Sequence, residues 1–155
     1  MKPLLLTFLL LLTFGCSDDD AVSSPEPQNI TPALVAKGVL TNTQSFAVEN
    51  RVITTNAQWQ VLLTQMQESR EDITDIFTET TIDFSQYQII ASYIIGSSGT
   101  TIDVTAVIEN EDNITITLEN LRKGATQDVT HPFHIIKIPQ SDKPIIFEDL
   151  TDWDN

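Results

Sequence analysis

The sequence predicts an α+β domain: one curved antiparallel sheet of about five strands, with one main helix. Three observations carry this. A single stretch has helical periodicity, with Trp59, Leu62, Leu63 and Met66 at i, i+3, i+4 and i+7. Several later stretches alternate or run apolar at strand length. The connections between them are short, which favours antiparallel neighbours and leaves the helix to cover one face of the sheet.

The elements follow in order. Residues 33–40 are mostly apolar, and Phe46 and Val48 come next. Their place in the fold is open, and residues 33–50 form an N-terminal segment of uncertain role. Residues 51–54 read as a short strand. Thr54, Thr55 and Asn56 are candidate helix caps, because their side-chain oxygens can accept from first-turn amides. The helix spans about residues 56–67, with Gln58, Gln60 and Gln65 facing away from its apolar stripe. Residues 68–81 are a polar, acidic loop that can hold one helical turn, anchored by Ile73, Ile76 and Phe77. Residues 82–87 turn into a strand at residues 88–95, which ends at Gly96, Ser97, Ser98 and Gly99. That glycine–serine group marks a link between strands.

Residues 101–109 alternate, with Ile102, Val104, Ala106 and Ile108 on one side and Asp103, Thr105 and Val107 on the other. After a turn, Ile114, Ile116 and Leu118 alternate with Thr115, Thr117 and Glu119. Residues 120–126 form a polar loop containing Gly124. Residues 129–138 are a strand interrupted by Pro132, which lacks a ladder donor and therefore predicts an edge or irregular strand. Residues 145–147 close the sheet.

The first residues read differently. Lys2 precedes an apolar run, residues 4–12, broken only by Thr7. The run is shorter than the ~20 residues a membrane span needs and suits the core of a secretory signal. Gly15 and Cys16 follow, a pair that resembles the lipobox of bacterial lipoproteins, with Thr13 where that motif carries an aliphatic residue. Residues 1–15 are thus expected to be removed and Cys16 to carry the lipid. Cys16 is the only cysteine, so it cannot form an internal disulfide. Residues 16–32 combine Asp18, Asp19 and Asp20 with Pro25, Pro27 and Pro32, the composition of a solvated, disordered tether. Aspartates so close to the cysteine resemble the export signals of surface-displayed lipoproteins. The expected location is the outer membrane, exposed at the cell surface, with a periplasm-facing position as the alternative.

Composition narrows the function. The chain has 155 residues and a net charge of −14, which becomes −15 when Lys2 leaves with the signal. Such acidity disfavours nucleic acid and anionic lipid surfaces as partners. The anchor is therefore the lipid itself. Gly96, Ser97, Ser98 and Gly99 lack the spacing and the strand-to-helix setting of a serine nucleophile turn. His131 and His134 are the only histidines, and their odd offset sends them to opposite faces of a strand. No zinc motif, calcium loop or phosphate loop is present. The reading is a non-enzyme without cofactor or metal.

The region from Arg51 to Asp149 resembles the C-terminal domain of the PrcB-type protease-complex subunits, small lipoproteins that associate with a surface protease and help stabilise it. The likeness rests on four segments: Val52, Ile53 and Thr54 followed by Trp59; Ile82, Asp83, Phe84 and Ser85; the glycine-bearing turn at residues 95–102; and residues 131–139, where a Pro-aromatic pair leads into Ile136, Lys137, Ile138 and Pro139. The family's turn runs Thr-Gly-Gly-Tyr, whereas this chain has Ser98, Gly99, Thr100 and Thr101 and lacks the tyrosine. The resemblance places the domain at residues 51–155 and implies a protein-binding role toward a protease or its propeptide. Gly96, Ser97, Ser98, Gly99, His131, Pro132, Phe133 and His134 are the candidate partner-binding residues, with strand addition at an irregular edge as the expected mode. A glycan-binding or adhesion lipoprotein and a direct protease inhibitor are the alternatives.

Overall fold

The computed structural model of the chain describes residues 26–40, 49–125 and 128–151. Cys16, the expected export signal (residues 1–15) and most of the expected tether (residues 16–32) lie outside these residues. The strands are β1 (Gln28–Asn29), β2 (Ala33–Leu40), β3 (Arg51–Ile53), β4 (Tyr87–Tyr93), β5 (Gly96–Ser97), β6 (Asp103–Glu109), β7 (Ile114–Glu119), β8 (Val129–Pro139) and β9 (Ile145–Asp149). The helix α1 (Asn56–Ser69) and a 3-10 turn (Ile73–Ile76) lie between β3 and β4. The class is α+β in a single domain, as the sequence predicts. The strands divide into two sheets, one ordered β2-β8-β4-β3 with β5 also on β8, the other β1-β6-β7-β9. No helix among the described residues is long and apolar enough to cross a membrane.

The five-stranded sheet lies in the middle. On one face Ile89, Ala91, Tyr93, Phe133 and Ile135 pack with Trp59, Leu62, Leu63 and Met66 of α1. On the other, Ile90, Ile94, Ile136 and Ile138 pack with Val107, Ile114, Ile116 and Leu118 of the second sheet. β4 and β8 are therefore covered on both faces, which explains their adjacent isoleucine pairs in place of strict alternation.

Local chemistry sets the boundaries. Thr55 caps α1, its side chain accepting from the Gln58 amide at 3.3 Å, while Gln58 Oε1 accepts from the Thr54 amide at 3.0 Å. Asp83 accepts from the Ser85 amide at 3.0 Å and from its hydroxyl at 2.6 Å, a turn that aims the chain into β4. The Ser85 hydrogen bonds hold the Asp83 carboxyl below its ordinary value.

Five expectations change. The folded region begins before residue 33: Gln28 and Asn29 pair with Glu109 and Ile108 of β6, and Ile30 N–H donates to Val107 at 2.9 Å. The uncertain segment supplies β2, which pairs with β8 along nearly its whole length. β6 does not alternate throughout. A register shift between Val104 and Ala106 turns Val107 into the second core and leaves Ile108 outside it.

The fourth change concerns β8, which is a central strand between β2 and β4, not an edge. Pro132 is accommodated at a gap in its neighbour. Ile94 N–H donates to the Pro132 carbonyl at 3.1 Å, so Pro132 directs its backbone toward the β4 side. β4 stops at Tyr93, opposite Phe133, and pairing resumes at Gly96, opposite Thr130. Three steps on each strand join these pairs, so β4 and β5 are one strand in one register, interrupted where the proline has no donor.

β7 and β9 pair in parallel, against the expectation of a wholly antiparallel sheet. β8 crosses to the other sheet between them, and the returning chain enters β9 in the direction of β7.

Trp59 is fully buried, and its Nε1 donates to the Thr80 carbonyl at 2.8 Å. Trp59→Ala is expected to cost about 3–5 kcal/mol in urea unfolding. A loss below about 1 kcal/mol would show that the α1 layer does not depend on this ring.

Candidate functional site

The predicted site residues gather at one end of the five-stranded sheet but do different work. Ser97 to Thr100 is a β-turn closed by Thr100 N–H to the Ser97 carbonyl at 2.9 Å. Gly99 occupies its third position with φ 93°, a value that favours glycine. The turn is strapped to the loop that follows β7. Arg122 Nε donates to the Gly99 carbonyl at 2.8 Å, Gly124 N–H to Thr100 Oγ1 at 2.9 Å, and Thr101 N–H to the Arg122 carbonyl at 2.9 Å. A Cβ at Gly124 would fall 2.2 Å from Ser97 Oγ and 2.5 Å from the Ser98 carbonyl, so the two loops meet only because residue 124 is glycine. As a candidate partner-binding turn it has backbone donors and acceptors to offer. Much of that capacity is spent internally.

Phe133 is not a contact residue. It is fully buried, stacked obliquely on Tyr93 at 6.2 Å and pressed against Gly38. Pro132 is buried as well. His131 is half-buried, and burial lowers its pKa. His134 turns toward the second sheet, where Nδ1 accepts from the Val104 amide at 2.9 Å. Lys137, the lysine of the family-like stretch, pairs with Glu79 and lies 4.6 Å over the Tyr87 ring. Among the described residues no three His, Cys, Asp or Glu side chains form a group that could hold a metal ion.

A polar cluster that sequence reading missed lies behind these residues. Lys37, His134 and Ser92 are cross-strand neighbours on β2, β8 and β4. Lys37 Nζ pairs with the largely buried Asp103, whose other oxygen accepts from Thr101 Oγ1 at 2.6 Å. Burial alone would raise the Asp103 carboxyl. Hydrogen bonds from Lys37 and Thr101 outweigh it and hold the group below its ordinary value. Burial drives His134 down to about 4, helped by the Lys37 charge and opposed by Asp103. The serine, histidine and aspartate do not form a catalytic relay. Ser92 is fully buried, out of reach of a substrate, and its Oγ has no hydrogen-bond partner. Because His134 Nδ1 accepts a hydrogen bond, the proton of the neutral ring sits on Nε2, so Asp103 cannot orient the ring through Nδ1. The signals available were the lone Lys37 within an apolar run and Asp103 at the start of a strand. Neither carries a motif, and their meeting depends on the packing of the two sheets.

Two concavities flank these elements. A cavity of about 310 Å³ is lined by Lys37, Thr100, Thr101, Ile102, Arg122 and Phe133 among others. A larger groove of about 690 Å³ runs between β3 and α1, lined by Arg51, Ile53, Ala57 and Val61 among others. Around the strapped turn, Ile95, Leu121 and Val129 expose 56%, 67% and 68% of their surface. Val129 pairs with Ser97, and Ile95 lies two residues from Ser97 on the same side of the strand.

Comparison with protein-family models, curated proteins and solved structures finds no match to this chain.

Two outcomes are expected. An unfolded histidine titrates near 6.5, and folded His134 near 4. The folded chain thus binds fewer protons between these values, and stability falls as pH drops from about 6.5 to 4. The Asp103 contribution is lost below that, as pH falls under 3.8. Allowing for solvent screening, the His134 loss is about 1–2 kcal/mol. His134→Gln should flatten this part of the profile in urea titrations at pH 7 and 4.5; an unchanged slope would remove His134 as its source. Separately, Gly124→Ala should cost about 1–3 kcal/mol and loosen the strapped turn, read as faster amide exchange at Thr100 and Thr101.

Proposed function

We propose that this chain is a lipid-anchored envelope protein that does no catalysis and binds another protein, as a stabilising subunit of a secreted or surface protease complex. Cys16 would hold it in the outer membrane, facing the cell surface. The export-signal pattern and the resemblance to PrcB-type subunits support this reading. The observation that carries it is the exposed apolar pair Ile95 and Val129 beside the strapped turn. Covering two such side chains contributes about 1.5–3 kcal/mol each to association. The rigid turn, with Leu121 on the strapped loop, would fix the outline of that surface.

A glycan platform fits less well. Tyr93 is buried and Tyr87 half-buried, so neither ring is fully exposed for stacking on a sugar. Direct inhibition of a protease uses the same surface and differs in its outcome.

The test is capture of solubilised envelope proteins on the full-length chain and on an Ile95→Asp, Val129→Asp double variant. A protease retained by the wild type, weakened about tenfold or more by the variant at unchanged unfolding midpoint, is expected. Its half-life should lengthen in the complex. Equal retention by both chains would overturn the patch. Absence of any protease would overturn the proposed complex, and slowed cleavage by the bound protease would establish the inhibitor reading.

A further inference from the structure

We propose that the outward edge of β9 is a docking site for an extended, basic segment of another protein, which adds to the four-stranded sheet as a fifth strand. This inference uses a different surface from the Ile95–Val129 patch and stands or falls separately.

The backbone pattern defines the site. Ile114 N–H donates to the Pro144 carbonyl at 2.9 Å, and Leu150 N–H donates to the Leu118 carbonyl at 2.8 Å. In a parallel ladder these two bonds assign the alternation between them. Residues 144, 146, 148 and 150 direct their backbone groups to β7, while Ile145, Phe147 and Asp149 direct theirs away from it. β9 ends the sheet order. Among the described residues no group bonds the outward amides and carbonyls of these three residues.

The other edges are treated differently. β1 has two residues and β3 three. β2 is longer but carries a register shift between Leu34 and Ala36. There Thr78 N–H donates to Val35 at 2.8 Å and Thr78 Oγ1 to Leu34 at 2.8 Å. Such short or bulged and covered edges resist pairing with another chain. β9 offers five regular residues.

Charge selects the occupant. Residues 144–155 contain Glu148, Asp149, Asp152 and Asp154 and no basic residue. Glu148 and Asp149 are exposed on the strand itself. The nearest base, Lys143, is engaged by Glu109 at 2.9 Å and by the Asn110 carbonyl at 2.7 Å. A second copy would bring the same acids and another net charge of −14. A lysine-bearing strand would place its charges beside Glu148 on the outer face. Its alternate apolar residues would extend the inner face past Phe147, which packs against the inter-sheet core.

The probe is the eight-residue peptide acetyl-(Lys-Val)4-amide, with (Glu-Val)4 as its acidic counterpart, added to the full-length chain in non-ionic detergent. Hydrogen exchange across residues 144–151 is followed. At saturating (Lys-Val)4, the amides of Ile145, Phe147 and Asp149 should slow by about tenfold or more, and affinity should fall as salt rises. Asp149→Pro removes an outward donor and no ladder donor, and should abolish protection while leaving the unfolding midpoint near that of the wild type. If this variant is destabilised, Glu148→Lys with Asp149→Lys should weaken (Lys-Val)4 and admit (Glu-Val)4. Three results would overturn the proposal: no added protection at these amides, equal protection by both peptides, or protection that grows with protein concentration alone, which would assign the edge to a second copy.

Discussion

The fold depends on two neighbouring strands, β4 and β8, being buried on both faces. β8 is the longer of them, with Phe133 and Ile135 under the helix and Ile136 and Ile138 against the second sheet. A strand in that position has no solvent face on which to place polar residues. Three consequences follow. The strand is long and rich in isoleucine. Its polar residues need internal partners, which His134 finds in Val104 and Lys137 in Glu79. Its neighbours must also accommodate Pro132, and the interruption between β4 and β5 does so.

The space between the sheets is not uniformly apolar. At one end the row Lys37, His134 and Ser92 faces Asp103 and Thr101. Burying such groups costs free energy, and only hydrogen bonding offsets it. Two of these contacts run from one sheet to the other, Lys37 to Asp103 and His134 to Val104. An ion pair and a directional hydrogen bond add to close packing a further constraint on how the two sheets are aligned.

The helix was legible because four apolar residues recur at helical spacing, and because Thr55, one of three candidate caps, supplies local capping chemistry. Strand positions were legible for similar reasons. What could not be read was which strands share a sheet. Short turns join β6 to β7, but β8 leaves for the other sheet, and that choice made β7 and β9 parallel and placed Pro132 in the centre. Ala33–Leu40 could not be assigned to the domain, since its partner is about a hundred residues away. The candidate residues fall at one end of the five-stranded sheet, but the burial of each was not legible in the sequence. Phe133 looks like a contact residue in a Pro-aromatic motif and is core in the fold. Ile95, Leu121 and Val129 carry no motif, and their exposure is set by tertiary packing that the sequence does not show.

One feature at the start of the fold bears on how the domain carries a load. β1 holds only two residues at a sheet edge, directly after the segment that leads toward Cys16. Tension applied through that segment reaches β1 first. Peeling it away sacrifices little pairing and lengthens the leader by roughly 17 Å, at about 3.4 Å for each of residues 28–32. The next point of resistance is β2, held along its length by β8. The domain therefore yields in steps: a pull on the N-terminal side first releases β1 and withdraws Ile30 from the inter-sheet core, and only then loads β2.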